Sequence, residues 1–338
     1  MEIELIKRVG IIGLGHQANS YFVPALEISS NIRLVSICDT QTLALDSFPS
    51  QFNVSKYRDF NKMLEIENLD FIIVAVPHDI HLPVIRAAAK NNVHVLKEKP
   101  FARTLLEAQE IYETLENSNI KVATAIQRRF YPSYKDFFHQ REKLGEIIEV
   151  NMDYELMIEN PELGWRGNMK RAGGGCIIDM GYHMIDLLVW YFGCPSNVRA
   201  KFDETHHPER EAMIEFSFGK NLFGTIHLSR KSKRKLERVL VKAEKGIAEV
   251  TKNTIRITYE DGRPPSTKTY SLNKKVIAKM QINNFLQLID HGTNKISSLE
   301  HMNHLRVIES CYMSNNLNQT VQPRFLDKLD VVVNAANI

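Results

Sequence analysis

The sequence predicts an α/β chain: an N-terminal doubly wound parallel sheet, then a C-terminal α+β domain built on an open, mostly antiparallel sheet. Up to about residue 126, short apolar runs alternate with helical patterns, the grammar of a parallel sheet covered on both faces. Beyond it, strand-length segments of alternating polarity follow one another across hairpin-like turns at 218–221 and 260–262. The length of 338 residues suits two domains, at 1–126 and 127–338.

The elements follow in order. Residues 8–13 read as the first strand, with a helix to about Ile28, and further strands at 33–39, 70–76, 93–98 and 121–126. A helix follows at 81–90, and another starts at Thr104, where T-L-L-E forms a capping box and Leu105, Ala108, Ile111 and Leu115 make a buried stripe. In the second domain Ile148, Val150, Met152, Tyr154 and Leu156 alternate with Glu149, Asn151, Asp153 and Glu155, so one face is buried and one wet. Similar strands recur at 212–218, 222–229, 238–244, 246–250 and 254–259. Segments 176–193, 276–290 and the stretch after the S-S-L-E capping box at 297–300 are expected as helices packed on that sheet.

Hydrophobic residues at 43% and charged residues at 25% exclude disordered, collagen-like and disulfide-stapled classes. A net charge of +3 is too small for a wholesale nucleic-acid or membrane-surface binder. The longest clear apolar run, 71–76, is strand-sized and far short of a membrane span. The first eight residues lack the basic and apolar regions of a secretory signal, so a cytoplasmic location is expected. Cys38, Cys176, Cys194 and Cys311 are scattered and read as reduced thiols, with no metal site expected.

Three motifs carry chemistry. Gly13, Gly15 and Ala18 form a G-x-G-x-x-A pattern between the first strand and a helix: the first glycine permits a tight turn, the second lets backbone approach a pyrophosphate, and the alanine allows close packing. This is the Rossmann dinucleotide fingerprint, with His16 and Gln17 inside its loop. Asp39 ends the second strand about twenty residues on, where an acid can bind a ribose diol; a helix cap is its alternative role. Thr40 and Gln41 follow rather than an arginine, which favours NAD over NADP. Lys97, Glu98 and Lys99 crowd the end of a strand before Pro100, so Lys99 is positioned to face a cleft with Glu98 holding it; a solvated charge cluster is the alternative. Finally, Gly173, Gly174 and Gly175 lead into a helix on which Asp179 and His183, four apart, share a face. Gly181 between them costs about 1 kcal/mol in a helix and implies a close neighbour.

Together, G-x-G-x-x-A, A-V-P with His81 four residues after Pro77, E-K-P at 98–100 and G-G-G-x-x-x-D-x-x-x-H at 173–183 resemble the Gfo/Idh/MocA oxidoreductases, from about residue 8 to about residue 230. The resemblance implies a nicotinamide-binding Rossmann domain joined to an α/β domain with the active site between them, acting on a ring hydroxyl or ketone of a sugar, cyclitol or sugar derivative. It further implies that Lys99 hydrogen-bonds the reacting oxygen, that His183 is the acid/base, and that Asp179 binds a neighbouring hydroxyl or orients the histidine. Pro77, His81 and Glu98 would seat the nicotinamide ribose. Trp165 and Arg166 resemble a W-R pair lining the cleft, and Gln127 and Arg129 stand where members often carry Asn and Arg. Gln127 departs from that Asn, and Lys97 replaces a usually neutral residue.

The residue types fit hydride transfer independently, since the departing hydroxyl proton needs a base near neutral pH and the developing alkoxide a cation. Between 230 and 238, Arg230, Lys231, Lys233, Arg234, Lys235 and Arg238 face only Glu237. A solvated turn or lysine-rich strand edge is expected there, with a phosphate-bearing substrate or nucleic acid as the alternative. The competing functional classes are a nicotinamide-sensing regulator on the same fold and a reductase of linear pyrroles or dihydrodiols. An open sheet with an uncovered face, together with the resemblance, implies a homodimer or homotetramer.

Overall fold

The computed structural model describes residues 6–160, 163–203, 206–291 and 294–323. The chain divides into two compact units: the described residues of Met1–Ala102, Glu110–Phe130 and Ser271–Ser298, and those of Arg103–Gln109, Tyr131–Tyr270 and Leu299–Ile338.

The first unit holds a six-stranded parallel sheet of β1 (Lys7–Ile12), β2 (Ile32–Cys38), β3 (Ser55–Tyr57), β4 (Phe71–Val74), β5 (His94–Glu98) and β6 (Val122–Ala125). The spatial order is β3-β2-β1-β4-β5-β6, the doubly wound order in which the chain reverses direction between β1 and β4. Phe71, Ile72, Ile73 and Val74 are all essentially inaccessible, as strands covered on both faces must be. Half of the capping box at Thr104 forms: Glu107 N donates to Thr104 Oγ1 at 3.1 Å and the helix runs Leu105–Glu116. The Glu107 carboxylate takes Arg103 N at 2.7 Å instead of closing back on Thr104.

One helix belongs elsewhere than expected. Lys274–His291, read as packing on the second sheet, buries Ala278, Ile282, Phe285 and Leu286 in the core of the first unit, with Phe285 edge-on to Phe71 at 5.6 Å. Its apolar stripe satisfies any sheet offering a complementary groove, and position after the last hairpin does not fix which one the chain returns to.

The second unit carries β7 (Ile147–Met157), β8 (Asn197–Phe202), β9 (Glu211–Phe218), β10 (Leu222–Ser229), β11 (Lys231–Ala243), β12 (Gly246–Thr251), β13 (Thr254–Tyr259) and β14 (Ser266–Thr269). The order is β14-β13-β12-β11-β7-β10-β9-β8, antiparallel throughout except for the β7–β10 pair. Helix Gly181–Phe192 packs on this sheet, while Asn294–Leu317 begins before the S-S-L-E segment, leaving that box inside the helix. No described helix is long and apolar enough to cross a membrane.

The basic run lies as expected at a solvated strand edge: Lys231, Lys233, Arg234 and Lys235 are exposed, and β12 pairs with β11 only from Arg238 onward. From Lys231 it forms the first part of β11, which there pairs with β7 alone, with a register break between Lys231 and Leu236. Three of its cations meet acids: Arg234 holds Glu155 at 2.9 Å, Arg238 holds Asp153 at 2.7 Å, and Lys231 pairs with Asp203. The same pairing modifies the alternation of β7. Val150 and Met152 are buried as expected, but Glu155 on the opposite face is also buried, by Arg234 and Ser232. The spread of opposite charges over 80 residues of sequence hid this match.

Candidate cofactor and active-site residues

In the first unit β1 ends at Ile12 and the chain turns at Gly13, whose φ of +88° and whose missing side chain are both required: a Cβ would lie 2.4 Å from Ala75 O. Around Gly15 the space is open, with no atom within 4 Å of a notional Cβ. Ala18 is fully buried. His16 Nδ1 lies 3.2 Å from Ser20 Oγ, and Gln17 Oε1 is buried with no hydrogen-bond partner among the described residues.

Asp39 Oδ2 accepts from Leu14 N at 2.7 Å and Oδ1 from Gln41 N at 2.8 Å. The carboxylate thus ties the glycine loop to the end of β2 and also forms the turn before helix Thr42–Asp46, with lone pairs left for a diol. Burial, followed by the charges of Asp39 and Asp59, pushes the neighbouring Cys38 thiol up to about 12. The turn also carries a cation that local sequence did not reveal: Arg58 Nη2 donates to Thr40 O at 3.3 Å. β3 pairs beside β2, so a residue far along the chain fills that place.

At the end of β5, Glu98 is buried, and desolvation raises its carboxyl above the usual range against the pull of Lys99, Lys97 and Arg128. Its Oε1 has no hydrogen-bond partner among the described residues. Lys99 is half-buried and joins Pro100 through a cis peptide. Pro77 caps the short helix His78–Ile80. His81 is turned inward, its Nε2 on Val76 O at 3.2 Å and its Nδ1 on Lys97 Nζ at 3.2 Å, so both ring nitrogens are held by the protein. Gln127 is buried and accepts from Arg128 at 3.4 Å; Arg129 lies in the same 3-10 turn. Open backbone at Gly15, the acid at Asp39 and a buried acceptor at Glu98 fit a dinucleotide's pyrophosphate and its two ribose diols.

In the second unit all three glycines before Cys176 make room for protein. A Cβ on Gly173 would meet Arg103 Cβ at 2.7 Å, on Gly174 Tyr312 Oη at 1.9 Å, and on Gly175 Glu209 O at 2.1 Å. No side chain of the triplet can cap the helix Cys176–Asp179, and Glu209 does so from 34 residues away: its carboxylate accepts from Gly175 N at 2.9 Å, Ile177 N at 3.0 Å and Tyr312 Oη at 2.9 Å. Glu209 had no local sequence signal.

Asp179 closes that short helix, and Met180 separates it from Gly181–Phe192, which carries His183. The shared face expected from i, i+4 spacing thus spans a break between two helices. Asp179 Oδ2 takes buried Arg230 at 2.8 Å and Arg166 at 3.4 Å. Arg166 in turn stacks 4.4 Å over Trp165. His183 is buried, with its ring 6.4 Å from Tyr154. The close neighbour implied by Gly181 is Leu228, 2.7 Å from a notional Cβ. Asp153, Glu155 and His227 cluster on the sheet at metal-ligand spacing, but Arg238 and Arg234 already neutralise the two carboxylates.

Residues 7–125 match the oxidoreductase family with an NAD-binding Rossmann fold, GFO/IDH/MocA, and residues 139–249 match the GFO/IDH/MocA C-terminal domain. An uncharacterised oxidoreductase of Schizosaccharomyces pombe is 29% identical over 58% of this chain, and the match spans about half, 54%, of that relative's length. Glucose-6-phosphate 3-dehydrogenase of Bacillus subtilis is 28% identical over 65% of each chain. In fold, the chain is similar to aldose-aldose oxidoreductase of Caulobacter crescentus, with a TM-score of 0.84 over 94% of this chain and 99% of that one at 22% identity. With one domain model matching each half and the six-strand order intact, this chain belongs to the GFO/IDH/MocA oxidoreductase family.

Proposed function

We propose that this protein is an NAD(P)-dependent oxidoreductase that moves a hydride between nicotinamide and a ring hydroxyl or ketone of a sugar, cyclitol or sugar derivative. The observation that carries the reading is the glycine loop held open at Gly15 over the Asp39 carboxylate, with the buried acceptor of Glu98 at the end of a neighbouring strand of the same sheet. When bound, the nicotinamide accepts or returns the hydride. Asp39 receives the adenosine ribose, and Glu98, with Pro77 beside β4, receives the nicotinamide ribose. Lys99 donates to the substrate oxygen and stabilises its charge as the carbinol proton leaves. His183 takes that proton in oxidation and returns it in reduction. Asp179, already holding Arg166 and Arg230, orients a neighbouring hydroxyl, and Gln127, Arg129 and Trp165 line the substrate's path.

Within the basic run Arg234, Arg238 and Lys231 are engaged by Glu155, Asp153 and Asp203, which weighs against a phosphate subsite there. Sugar phosphates stay in the test through the named Bacillus relative alone. A homodimer or homotetramer is supported by apolar side chains exposed on the second sheet, Met213 and Phe223 among them, and light scattering at micromolar concentration measures it. Four free thiols support a cytoplasmic location, checked by fractionation of cells producing the protein. The activity itself is tested by following NADH and NADPH appearance across inositols, free sugars, sugar phosphates and nucleotide sugars. Turnover of a polyol or sugar is expected; tight cofactor binding with no turnover of any ring alcohol or ketone would replace the enzyme by a sensor.

A further inference from the structure

Lys97 is a fully buried lysine in a strand of the first sheet, a costly placement unless every proton of the ammonium finds an acceptor. Its Nζ donates to Glu98 O at 3.0 Å, to Pro100 O, and to His81 Nδ1 at 3.2 Å, and lies 5.8 Å from the Phe101 ring centre. The two carbonyls flank Lys99, one residue to either side, so a single ammonium fixes the backbone of that residue at both ends. The third contact continues the clamp to the loop after β4, because His81 Nε2 donates to Val76 O, next to Pro77. Burial first, then the Lys97 and His78 charges, hold the imidazole well below its ordinary pKa. The ring is therefore neutral, with its proton on Nε2 and its Nδ1 lone pair on the lysine.

We propose that Lys97 is a positioning residue, a buried clamp that sets the Glu98–Lys99–Pro100 turn and the Val76–Pro77 loop in register for the nicotinamide half of the cofactor. The inference rests on the cofactor reading above and deepens it. Stability does not require the charge, since a buried ion replaced by an apolar side chain of similar volume often leaves a fold as stable or more so. The clamp matters for the placement of its neighbours, Glu98 and Lys99, while the glycine loop and Asp39 lie at β1 and β2 and are held by other contacts.

The experiment compares two ligands on the full-length protein: NADH, which contains the nicotinamide half, and ADP, which lacks both the nicotinamide and its ribose. For Lys97→Met the expected result is a melting temperature within a few degrees of wild type, ADP affinity within twofold, and NADH affinity at least tenfold weaker. Lys97→Gln, which keeps two donors for the carbonyls, falls between the two. Should Lys97→Met fail to fold, Lys97→Gln carries the same comparison with a smaller expected loss. Unchanged NADH affinity overturns the proposal, as does an equal loss for both ligands or unfolding of both variants, each marking a merely structural lysine. Wild-type protein that binds neither NADH nor NADPH would fail the cofactor reading itself, before any variant is considered.

Discussion

The two units use the same residue type for opposite ends. In the first, Gly15 leaves space open, so backbone stands ready for a ligand. In the second, Gly173, Gly174 and Gly175 give their space to Arg103, Tyr312 and Glu209, and a charged side chain supplies what the backbone lacks. A glycine cluster before a helix is therefore a phosphate cradle only where the vacated volume stays empty. The first unit presents backbone groups and a few carboxylates, whereas the second holds Asp179 through a buried chain of Glu209, Gly175 and Arg230.

The sharpest way to break this contrast is a matched pair of alanines. Gly175→Ala drives a Cβ into the backbone of Glu209 and is expected to destabilise the fold by about 3 kcal/mol or more in chemical denaturation. Gly15→Ala meets no protein atom and should keep or slightly raise stability while weakening NADH binding in a fluorescence titration. Equal stability of the two variants would remove the distinction. Phe285→Ala tests the returning helix: a loss of about 3 to 5 kcal/mol is expected, since the ring is fully buried against Phe71. A loss below 1 kcal/mol would mean the helix is dispensable to that core.

Cofactor choice gives a smaller effect. Asp39→Ala should weaken NAD binding about tenfold, the scale of charge-assisted hydrogen bonds to a diol, and Arg58→Ala should reduce NADP use a few-fold while sparing NAD. Intact NAD affinity in Asp39→Ala would contradict the ribose assignment. The smallest effect concerns pH. Glu309, on the second unit's long helix, has its carboxyl raised by burial against one backbone donor, Leu105 N. A raised carboxyl contributes stability below its unfolded pKa and loses it as pH climbs through the folded value. Stability should therefore decline from about pH 4.5 upward across that interval, and Glu309→Gln should flatten the decline in thermal melts.

What local spacing encodes was legible: the Gly13 turn, the Ala18 packing, the Leu105, Ala108, Ile111 and Leu115 stripe, and the buried pair Val150 and Met152 all follow from periodicity within one element. What depends on a distant partner was not. Arg58 reaches Thr40 because β3 lies beside β2, Glu209 caps a helix 34 residues away, and Arg230 meets Asp179 across 51 residues. Asp153 and Glu155, which meet Arg238 and Arg234 of the basic run, likewise sit far from them in sequence, on β7. His81 had the right spacing for a ligand contact, yet both its nitrogens serve the protein, a fact fixed by Lys97 and Val76 rather than by its own neighbours in sequence.

The central claim is that His183 moves the proton while the first unit alone determines cofactor affinity. The direct test measures kcat and NADH affinity of His183→Ala on a ring alcohol found by the substrate survey. A fall in kcat of about a hundred- to ten-thousand-fold is expected, with NADH affinity within twofold of wild type. Wild-type turnover in the variant would contradict the account.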